Sequence, residues 1–285
     1  MLEIPFEPPV QLLHLPDCEE YGVAVYMKRE DTLHPYVSGN KWRKLKYVLA
    51  DAKEKNKTHL VSFGGAYSNH LLALACAANM FGCKATAFVR GEEVDNHMLR
   101  QCKTWNMQLL FVSREAYRNK QVLYDTHFAN DADAYFIDEG GRGELAAKGC
   151  EEILHEVEEF SHVVCAVGTG TTLAGMARAA THKGITAEGI CVLKGAEAMD
   201  EEIAAMAGFP LKVHHQFHRG GYAKTDAQLV EFMKAFYDDN GFMLDQVYTA
   251  KMVMGVVALI KSGYYKTGDR LLLIHTGGLV GNTIF

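Results

Sequence analysis

Lys41 is a candidate nucleophile because of its place at the beginning of a predicted helix. The segment SGNKWRKL (residues 38–45) opens that helix. Lys41 shares one face of it with three apolar residues, Leu45, Val48 and Ala52, whereas Arg43 and Lys46 fall on the other side. An ammonium near a helix N-terminus and against an apolar stripe is disfavoured by the helix dipole and by desolvation. The position therefore favours a neutral amine or a Schiff base, with a side chain that extends to solvent as the alternative.

A glycine- and threonine-rich segment is the second candidate for chemistry. GTGTTLAG (residues 168–175) follows an apolar run and precedes a predicted helix, whose first N–H groups would be free to bind a phosphate. The segment matches neither the GxGxxG fingerprint nor a Walker loop, so it does not indicate a nucleotide specifically. The candidate phosphate-binding residues are Thr169, Gly170, Thr171 and Thr172. The alternative is that the loop only caps the helix.

Short apolar runs alternate with helical segments along the whole chain, which predicts an α/β fold with open, parallel-rich sheets flanked by helices. The predicted strands are Gly22–Lys28, His59–Phe63, Ala85–Val89, Gln108–Val112, Ala134–Ile137, Val163–Val167, Gly189–Leu193 and Arg270–His275. Three of them run into loops rich in glycine and hydroxyl groups, at residues 64–70, 168–172 and 276–278. Because ligands bind at the carboxyl ends of parallel strands, we expect these loops to form one site.

Composition limits the classes of function. The 285 residues include 29 Lys and Arg against 35 Asp and Glu, a net charge of −6, so a nucleic-acid partner is not expected. No apolar run is long enough for a membrane span, and the beginning MLEIPFEPPV does not resemble a signal peptide. The seven cysteines contain no CxxC pair, which favours a reducing, cytoplasmic location.

A metal site is not expected either. His214, His215 and His218 are close in sequence, but their spacing puts one of them off the common face. No cysteine or carboxylate completes a ligand set beside them.

Several segments together resemble one family. SGNKWRKL, then SFGGAYSNH (residues 62–70), the glycine- and threonine-rich loop, and IHTGG (residues 274–278) occur in the order found in the D-cysteine desulfhydrase and 1-aminocyclopropane-1-carboxylate deaminase family. These are pyridoxal 5′-phosphate enzymes of fold type II, the tryptophan-synthase-β-like fold. The resemblance covers nearly the whole chain and implies a small amino-acid substrate, a homodimer and a cofactor cleft between two domains. Residues 1–45 and 137–285 would form the large domain and 46–136 the small one.

The resemblance also implies roles for individual residues. Lys41 would form the Schiff base, and Asn69 would bond the phenolic oxygen of the cofactor. The remaining cofactor-binding residues would be Thr169, Gly170, Thr171, Thr172, Thr249 and Thr276. The substrate carboxylate would be held by Ser68, Asn69 and His70, at a helix N-terminus that favours an anion. The catalytic residues would be Lys41, Ser68, Tyr222 and Tyr248, the two tyrosines facing the substrate as acids or donors.

The surroundings of the pyridine nitrogen distinguish the two activities of the family. The deaminase type has Glu and Leu where this chain has Thr249 and Thr276. A neutral hydroxyl makes a weaker electron sink, which suits loss of a good β leaving group better than opening of a cyclopropane ring. We therefore expect an α,β-elimination that converts D-cysteine into pyruvate, ammonia and sulfide.

Other functions remain open at this point. They are the deaminase activity, elimination or replacement on another D- or L-amino acid, and a non-catalytic module that binds a phosphate cofactor. Leu72 stands where the desulfhydrases have an arginine, and the chain is shorter than its family between Lys194 and Tyr222. Both departures bear on the choice of substrate.

Overall fold

Two sheets organise the chain. A computed structural model describes residues 7–282. The first six residues of MLEIPFEPPV, the segment that does not resemble a signal peptide, lie outside this range. The six-stranded sheet has the order β1-β2-β10-β7-β8-β9, and the four-stranded sheet has the order β5-β4-β3-β6. Every pairing is parallel except that of the edge strand β1 with β2. The predicted α/β fold with parallel-rich sheets flanked by helices is confirmed.

The strands are three to seven residues long. They are β1 Val10–Leu12, β2 Ala24–Lys28, β3 His59–Gly65, β4 Lys84–Arg90, β5 Gln108–Val112, β6 Ala134–Phe136, β7 His162–Val167, β8 Thr186–Cys191, β9 Lys212–His214 and β10 Arg270–Ile274. The central strands are apolar and buried on both faces, as expected where helices cover both sides of a parallel sheet.

Helices connect most of the strands as crossovers. They are α1 Asn40–Glu54, α2 Asn69–Met80, α3 His97–Thr104, α4 Lys120–Phe128, α5 Glu144–Glu151, α6 Thr171–Lys183, α7 Met199–Ala207, α8 Ala227–Asn240 and α9 Thr249–Lys261. Short 3-10 turns lie between some of these elements. Within residues 7–282, no helix is both long and apolar enough to cross a bilayer.

The structure differs from the predicted strands at the edges of the six-stranded sheet. Strands β1 and β9 were not predicted, because each is three residues long and contains polar residues, whereas the equally short β6 lies in an uninterrupted apolar run. Strand β8 begins at Thr186, three residues before its predicted start, because its pairing with β7 extends over the whole length of that strand. The predicted domain boundary at residue 46 falls within α1.

Helix α1 is anchored by buried ion pairs on the side away from its apolar stripe. Arg43 makes two hydrogen bonds with Glu30, of 2.9 and 3.0 Å, and the Glu30 side chain is fully buried. Glu152 accepts hydrogen bonds from Lys46 at 2.8 Å and from Tyr47 at 2.7 Å. These bonds to Glu30 and Glu152 hold the side of α1 that lies away from its apolar stripe, and the beginning of the helix is thereby fixed in place.

Candidate active site

A cavity of about 1530 Å³ lies at the carboxyl ends of strands from both sheets. Its walls come from the beginning of α1, from the loops that follow β3, β4, β5, β7 and β10, and from Tyr222 and Tyr248. The three loops rich in glycine and hydroxyl groups therefore form one site, as the sequence predicts. Parallel sheets bring these loops together because their strands all end at the same edge.

The beginning of α1 lies against the loop after β10. Gly39 has a φ of 59°, and a Cβ at this position would overlap the carbonyl oxygen of Thr276. Only glycine allows this approach, since it has no side chain and adopts a positive φ without strain. The contact places Lys41 and Thr276 on the wall of the same cavity.

Lys41 is a half-buried lysine with the properties of a nucleophile. Of the other lysines with little exposure, Lys28 forms an ion pair of 2.6 Å with Glu7, and Lys251 donates to backbone carbonyl oxygens. No described residue makes a hydrogen bond or ion pair with Lys41 Nζ, which faces the cavity. Burial, followed by repulsion from the nearby Lys44, lowers the pKa of Lys41 to about 7. A large fraction of this amine is therefore neutral near pH 7.

Lys44 lies one helical turn after Lys41 on the same wall. Its Nζ donates to the Gly140 carbonyl oxygen at 3.1 Å and to Thr169 Oγ1 at 3.3 Å. Burial lowers the pKa of this lysine as well. Lys44 thus brings a basic group to the 168–172 loop, where an anion would stabilise its charged form.

The 168–172 loop has the geometry of an anion site. Gly170, with a φ of 78°, precedes α6, so the first N–H groups of that helix are directed toward the cavity end of the loop. Asn40 Nδ2 donates to Thr172 Oγ1 at 2.9 Å, which joins this loop to the beginning of α1. Thr169, Gly170 and Thr172 line the cavity. The Thr171 side chain is fully buried behind them, and its Oγ1 has no partner in the described part of the chain.

The beginning of α2 forms the adjoining wall. Ser68 is the N-cap of this helix, and its Oγ accepts a hydrogen bond of 3.3 Å from the Leu71 N–H. The N–H groups of Asn69 and His70 precede the first intrahelical hydrogen bond, so they can bind an anion in the cavity. Ser68, Asn69 and His70 all line the cavity, and their binding of the substrate carboxylate stays a prediction.

The His70 side chain does not fit the role in carboxylate binding that the resemblance implies. Ser62 Oγ donates its single proton to the Ile137 carbonyl oxygen at 2.8 Å, so it accepts from His70 Nε2 at 2.8 Å. This network assigns the ring proton to Nε2 and leaves Nδ1 as a buried acceptor with no partner among the described residues. Burial, then repulsion from Lys41 and Lys44, holds the pKa of His70 well below its usual value. A neutral acceptor repels a carboxylate, so only the backbone N–H of His70 is suitable.

Two tyrosines face each other across the cavity wall. The ring centroids of Tyr222 and Tyr248 are 6.0 Å apart, and the rings are inclined at 69°. Burial raises the pKa of both phenols, that of Tyr248 well above its usual value. Both side chains therefore stay protonated at neutral pH and can act as hydrogen-bond donors.

The two threonines expected near the pyridine nitrogen are not equivalent. Thr276 lines the cavity at the end of β10. Thr249 is fully buried, and its Oγ1 accepts a hydrogen bond of 2.7 Å from the Asp245 N–H. Asp245 Oδ1 in turn accepts from the N–H groups of Tyr248 and Thr249, which fixes the turn before α9. We therefore correct the assignment of Thr249 from cofactor contact to support of this turn.

Sequence reasoning missed several residues that the cavity depends on. Lys44 and Asn40 were within the SGNKWRKL segment, and a spacing of three residues from Lys41 was the available signal for Lys44. Asp245 has a buried Oδ2 with no partner in the described chain, and burial raises its pKa to about 6. Asp245 comes close enough to act on the charge of Lys41 only in the folded chain, and no local sequence pattern shows a contact between residues so far apart.

The fold and the site together define a class of enzymes in which a lysine of lowered pKa and an anion-binding helix N-terminus face one cleft at the edge of parallel sheets. Residues 5–277 match the sequence model of the family described as "Pyridoxal-phosphate dependent enzyme". The chain belongs to this family.

Similarity to individual proteins extends over nearly the whole chain. It is 31% identical to a Thermotoga maritima protein provisionally named 1-aminocyclopropane-1-carboxylate deaminase, covering 92% of this chain and 91% of that protein. It is 26% identical to the D-cysteine desulfhydrase of Salmonella paratyphi A, covering 95% and 92%. A crystal structure of a 1-aminocyclopropane-1-carboxylate deaminase homologue matches with a TM-score of 0.86 at 28% identity, covering 98% of this chain and 91% of that one.

The residues present fit pyridoxal phosphate. The cavity supplies a partly neutral amine on Lys41, a helix N-terminus for the phosphate and the basic side chain of Lys44. The predicted contact of the Thr171 side chain with the cofactor is corrected, because that side chain is fully buried behind the loop and does not line the cavity; only its backbone N–H can contribute. The protein is a pyridoxal-phosphate dependent lyase.

Proposed function

We propose that the protein eliminates the β substituent of a small amino acid, with D-cysteine as substrate and pyruvate, ammonia and sulfide as products. The observation that carries this proposal is position 249, where the deaminase type has Glu and this chain has the neutral Thr249, whose hydroxyl accepts from the Asp245 N–H. Thr276, on the cavity wall where the deaminase type has leucine, adds a hydroxyl that is neutral as well. A weakly activated cofactor ring suits a substrate whose leaving group departs readily.

Lys41 and the 168–172 loop would hold the cofactor. Pyridoxal phosphate supplies an aldehyde that condenses with amines and a ring that withdraws electrons from the substrate. Lys41 would provide the amine, and Thr169, Gly170, Thr172 and Lys44 would bind the phosphate. Whenever the Lys41 amine is not bonded to the cofactor, it would serve as the base that takes the proton from the substrate Cα.

The beginning of α2 would orient the substrate. The Ser68 hydroxyl and the N–H groups of Asn69 and His70 can bind the substrate carboxylate at the positive end of the helix. The Asn69 amide can bond the phenolic oxygen of the cofactor from the same position. Orientation of the substrate Cα–H bond toward Lys41 then follows from two fixed contacts on one helix.

Tyr222 and Tyr248 would serve the departing sulfur. Hydrosulfide leaves more readily when a neutral phenol donates a hydrogen bond to it, and the raised pKa of both tyrosines keeps the phenols neutral. In the overall reaction the C–S bond breaks, sulfur leaves as sulfide, and the remaining aminoacrylate takes up water to give pyruvate and ammonia.

Deaminase activity on 1-aminocyclopropane-1-carboxylate is the second candidate, because the Thermotoga maritima relative and the solved homologue carry that name. The two activities have different products. Ring opening gives ammonia and a four-carbon keto acid, whereas elimination from cysteine gives sulfide and pyruvate. We favour elimination because position 249 carries a neutral threonine in place of the glutamate of the deaminase type.

One experiment separates these functions. The holoenzyme is given D-cysteine, L-cysteine and 1-aminocyclopropane-1-carboxylate in separate reactions, and sulfide, ammonia and keto acid are measured. We expect sulfide and pyruvate from D-cysteine and no ammonia from the cyclopropane substrate, with Lys41→Ala as the inactive control. Ammonia from the cyclopropane substrate without sulfide from either cysteine would contradict the proposal.

We also propose a homodimer in the cytoplasm. The family resemblance supports the dimer, and the seven free cysteines support a reducing compartment. Light scattering should give twice the chain mass of 31.6 kDa. Fractionation of cells that express the protein should recover it with cytoplasmic markers.

A further inference from the structure

Lys251 is a buried lysine that the catalytic steps do not use. It lies in the first turn of α9 and is fully buried. A cation at this position is disfavoured twice, by burial and by the positive end of the helix dipole. The nearby Asp245 carboxylate offsets part of this cost. A lysine retained under these conditions needs a specific set of contacts.

Those contacts are all made to one turn. Lys251 Nζ donates to the Gly221 carbonyl oxygen at 2.7 Å and to the His218 carbonyl oxygen at 3.1 Å. The turn from His218 to Gly221 is closed by a hydrogen bond of 3.1 Å between the Gly221 N–H and the His218 oxygen. The next residue is Tyr222, whose ring lines the cavity.

The turn has little support from its own conformation. Arg219 and Ala223 adopt positive φ values of 49° and 54°, which are unfavourable for residues with a Cβ. Tyr222 is 45% exposed, so packing covers only part of its side chain. The turn is also tied at the surface by Arg219, which bonds to Asp226 at 2.7 and 3.0 Å. Exposed ion pairs of this kind contribute little, so the buried contact with Lys251 dominates.

We propose that Lys251 is a positioning residue that holds the 218–221 turn, and with it Tyr222, over the cavity. The same helix places Tyr248 through the turn before α9, so one element sets the position of both phenols. The part of this proposal that concerns the position of the turn is supported by the contacts of Lys251 alone. Its effect on turnover rests on the proposed function, because that function gives Tyr222 its role.

The test compares two lysines that both donate to backbone carbonyl oxygens. Lys251→Met removes the ammonium but keeps the length of the side chain. Lys266→Met is the matched control, because the Lys266 Nζ donates to the Gly263 carbonyl oxygen at 2.7 Å at an exposed site that does not line the cavity. In the holoenzyme, we expect backbone amides of residues 216–224 to exchange hydrogen about tenfold faster in Lys251→Met and unchanged in the control.

A kinetic arm measures the link to Tyr222. We expect Lys251→Met to lower kcat for sulfide release about tenfold while the visible absorbance of the bound cofactor stays unchanged. In a Tyr222→Phe background the same substitution should change kcat less than about twofold, since both changes act through one phenol. An equal loss in both backgrounds would show that Lys251 does not act through Tyr222.

The hydrogen-exchange measurement tests whether Lys251 holds the turn, and it does so whether or not D-cysteine is a substrate. Unchanged exchange in Lys251→Met would overturn the proposal. If wild-type enzyme releases no sulfide while exchange responds as expected, the proposed function fails and the holding of the turn stands. Should Lys251→Met not fold, Lys251→Leu, which also removes the donor, is measured in its place, and exchange as slow as in wild type would again overturn the proposal.

Discussion

Two walls of the cavity are built in different ways. The lysine wall consists of Asn40, Lys41, Lys44 and the 168–172 loop, and the tyrosine wall consists of Tyr222, Tyr248 and the 218–221 turn. On the lysine wall, side chains from two helix beginnings bond to each other directly, at 2.9 Å between Asn40 and Thr172 and at 3.3 Å between Lys44 and Thr169. On the tyrosine wall, irregular backbone with positive φ values is tied to α9.

This difference corresponds to two tasks. A cofactor that stays bound needs a rigid, preorganised surface, and helix ends joined by buried hydrogen bonds provide one. A surface that admits and releases substrate has to open, and a turn with an exposed tyrosine and a single buried tether can move more easily. Substitutions on the lysine wall should therefore affect cofactor binding, and those on the tyrosine wall should affect turnover.

The largest effect is expected for Lys41→Ala. Loss of the amine removes both the covalent link to the cofactor and the base, so activity should fall by at least about 1,000-fold. The visible absorbance of the purified protein should disappear as well. Lys53→Ala, an exposed lysine on the same helix, should keep both. Retention of the visible band in Lys41→Ala would show that another lysine binds the cofactor.

Tyr222→Phe should give the next largest effect. Loss of the phenol proton is expected to lower kcat about 100-fold while cofactor affinity and absorbance stay unchanged. The control is Tyr265→Phe, which removes a buried hydroxyl away from the cavity. A loss of cofactor affinity in Tyr222→Phe would contradict the assignment of cofactor binding to the lysine wall and of turnover to the tyrosine wall.

Lys44→Met should weaken cofactor binding with little effect on kcat at saturation. A hydrogen bond that involves a charged group contributes about 1.5–3 kcal/mol, so the Kd for pyridoxal phosphate is expected to rise at least about tenfold. Titration of the apoenzyme, followed by absorbance, measures this constant. An unchanged Kd would place the phosphate elsewhere than at the 168–172 loop.

The pH dependence of cofactor capture should show the smallest change. A lysine whose pKa is lowered to about 7 loses its proton as pH rises through 7, so the reactive neutral fraction increases with pH. Between pH 6.5 and 8 the rate of capture by apoenzyme should rise about fourfold and then level off. Stopped-flow absorbance gives this rate. A rise that continues to pH 10 would indicate an unperturbed lysine.

The sequence predicts the elements of the fold better than their arrangement. Alternation of apolar runs and helical segments identifies most of the strands, because each long strand is buried and flanked by loop residues. It does not show that β10, the last strand, lies between β2 and β7, since that order depends on contacts between distant residues.

The site follows the same division. Lys41 and the 168–172 loop are recognisable because helix position and glycine content are local properties. The partnerless Nδ1 of His70 was not predictable, because Ser62 sets the tautomer only through its bond to the carbonyl oxygen of Ile137, a residue far along the chain. Thr249 was misassigned for a related reason, since its hydroxyl accepts a hydrogen bond from the Asp245 N–H within the folded turn instead of facing the cavity.

The approach of Gly39 to Thr276 has a consequence for how the protein is made. Residues far apart in the sequence meet at this contact, and β10 is inserted into the middle of its sheet. Until residue 276 has left the ribosome, neither the lysine pocket nor the sheet beneath it can be completed. Capture of the cofactor therefore waits for β10, and nascent chains that stop before residue 276 are expected to emerge colourless.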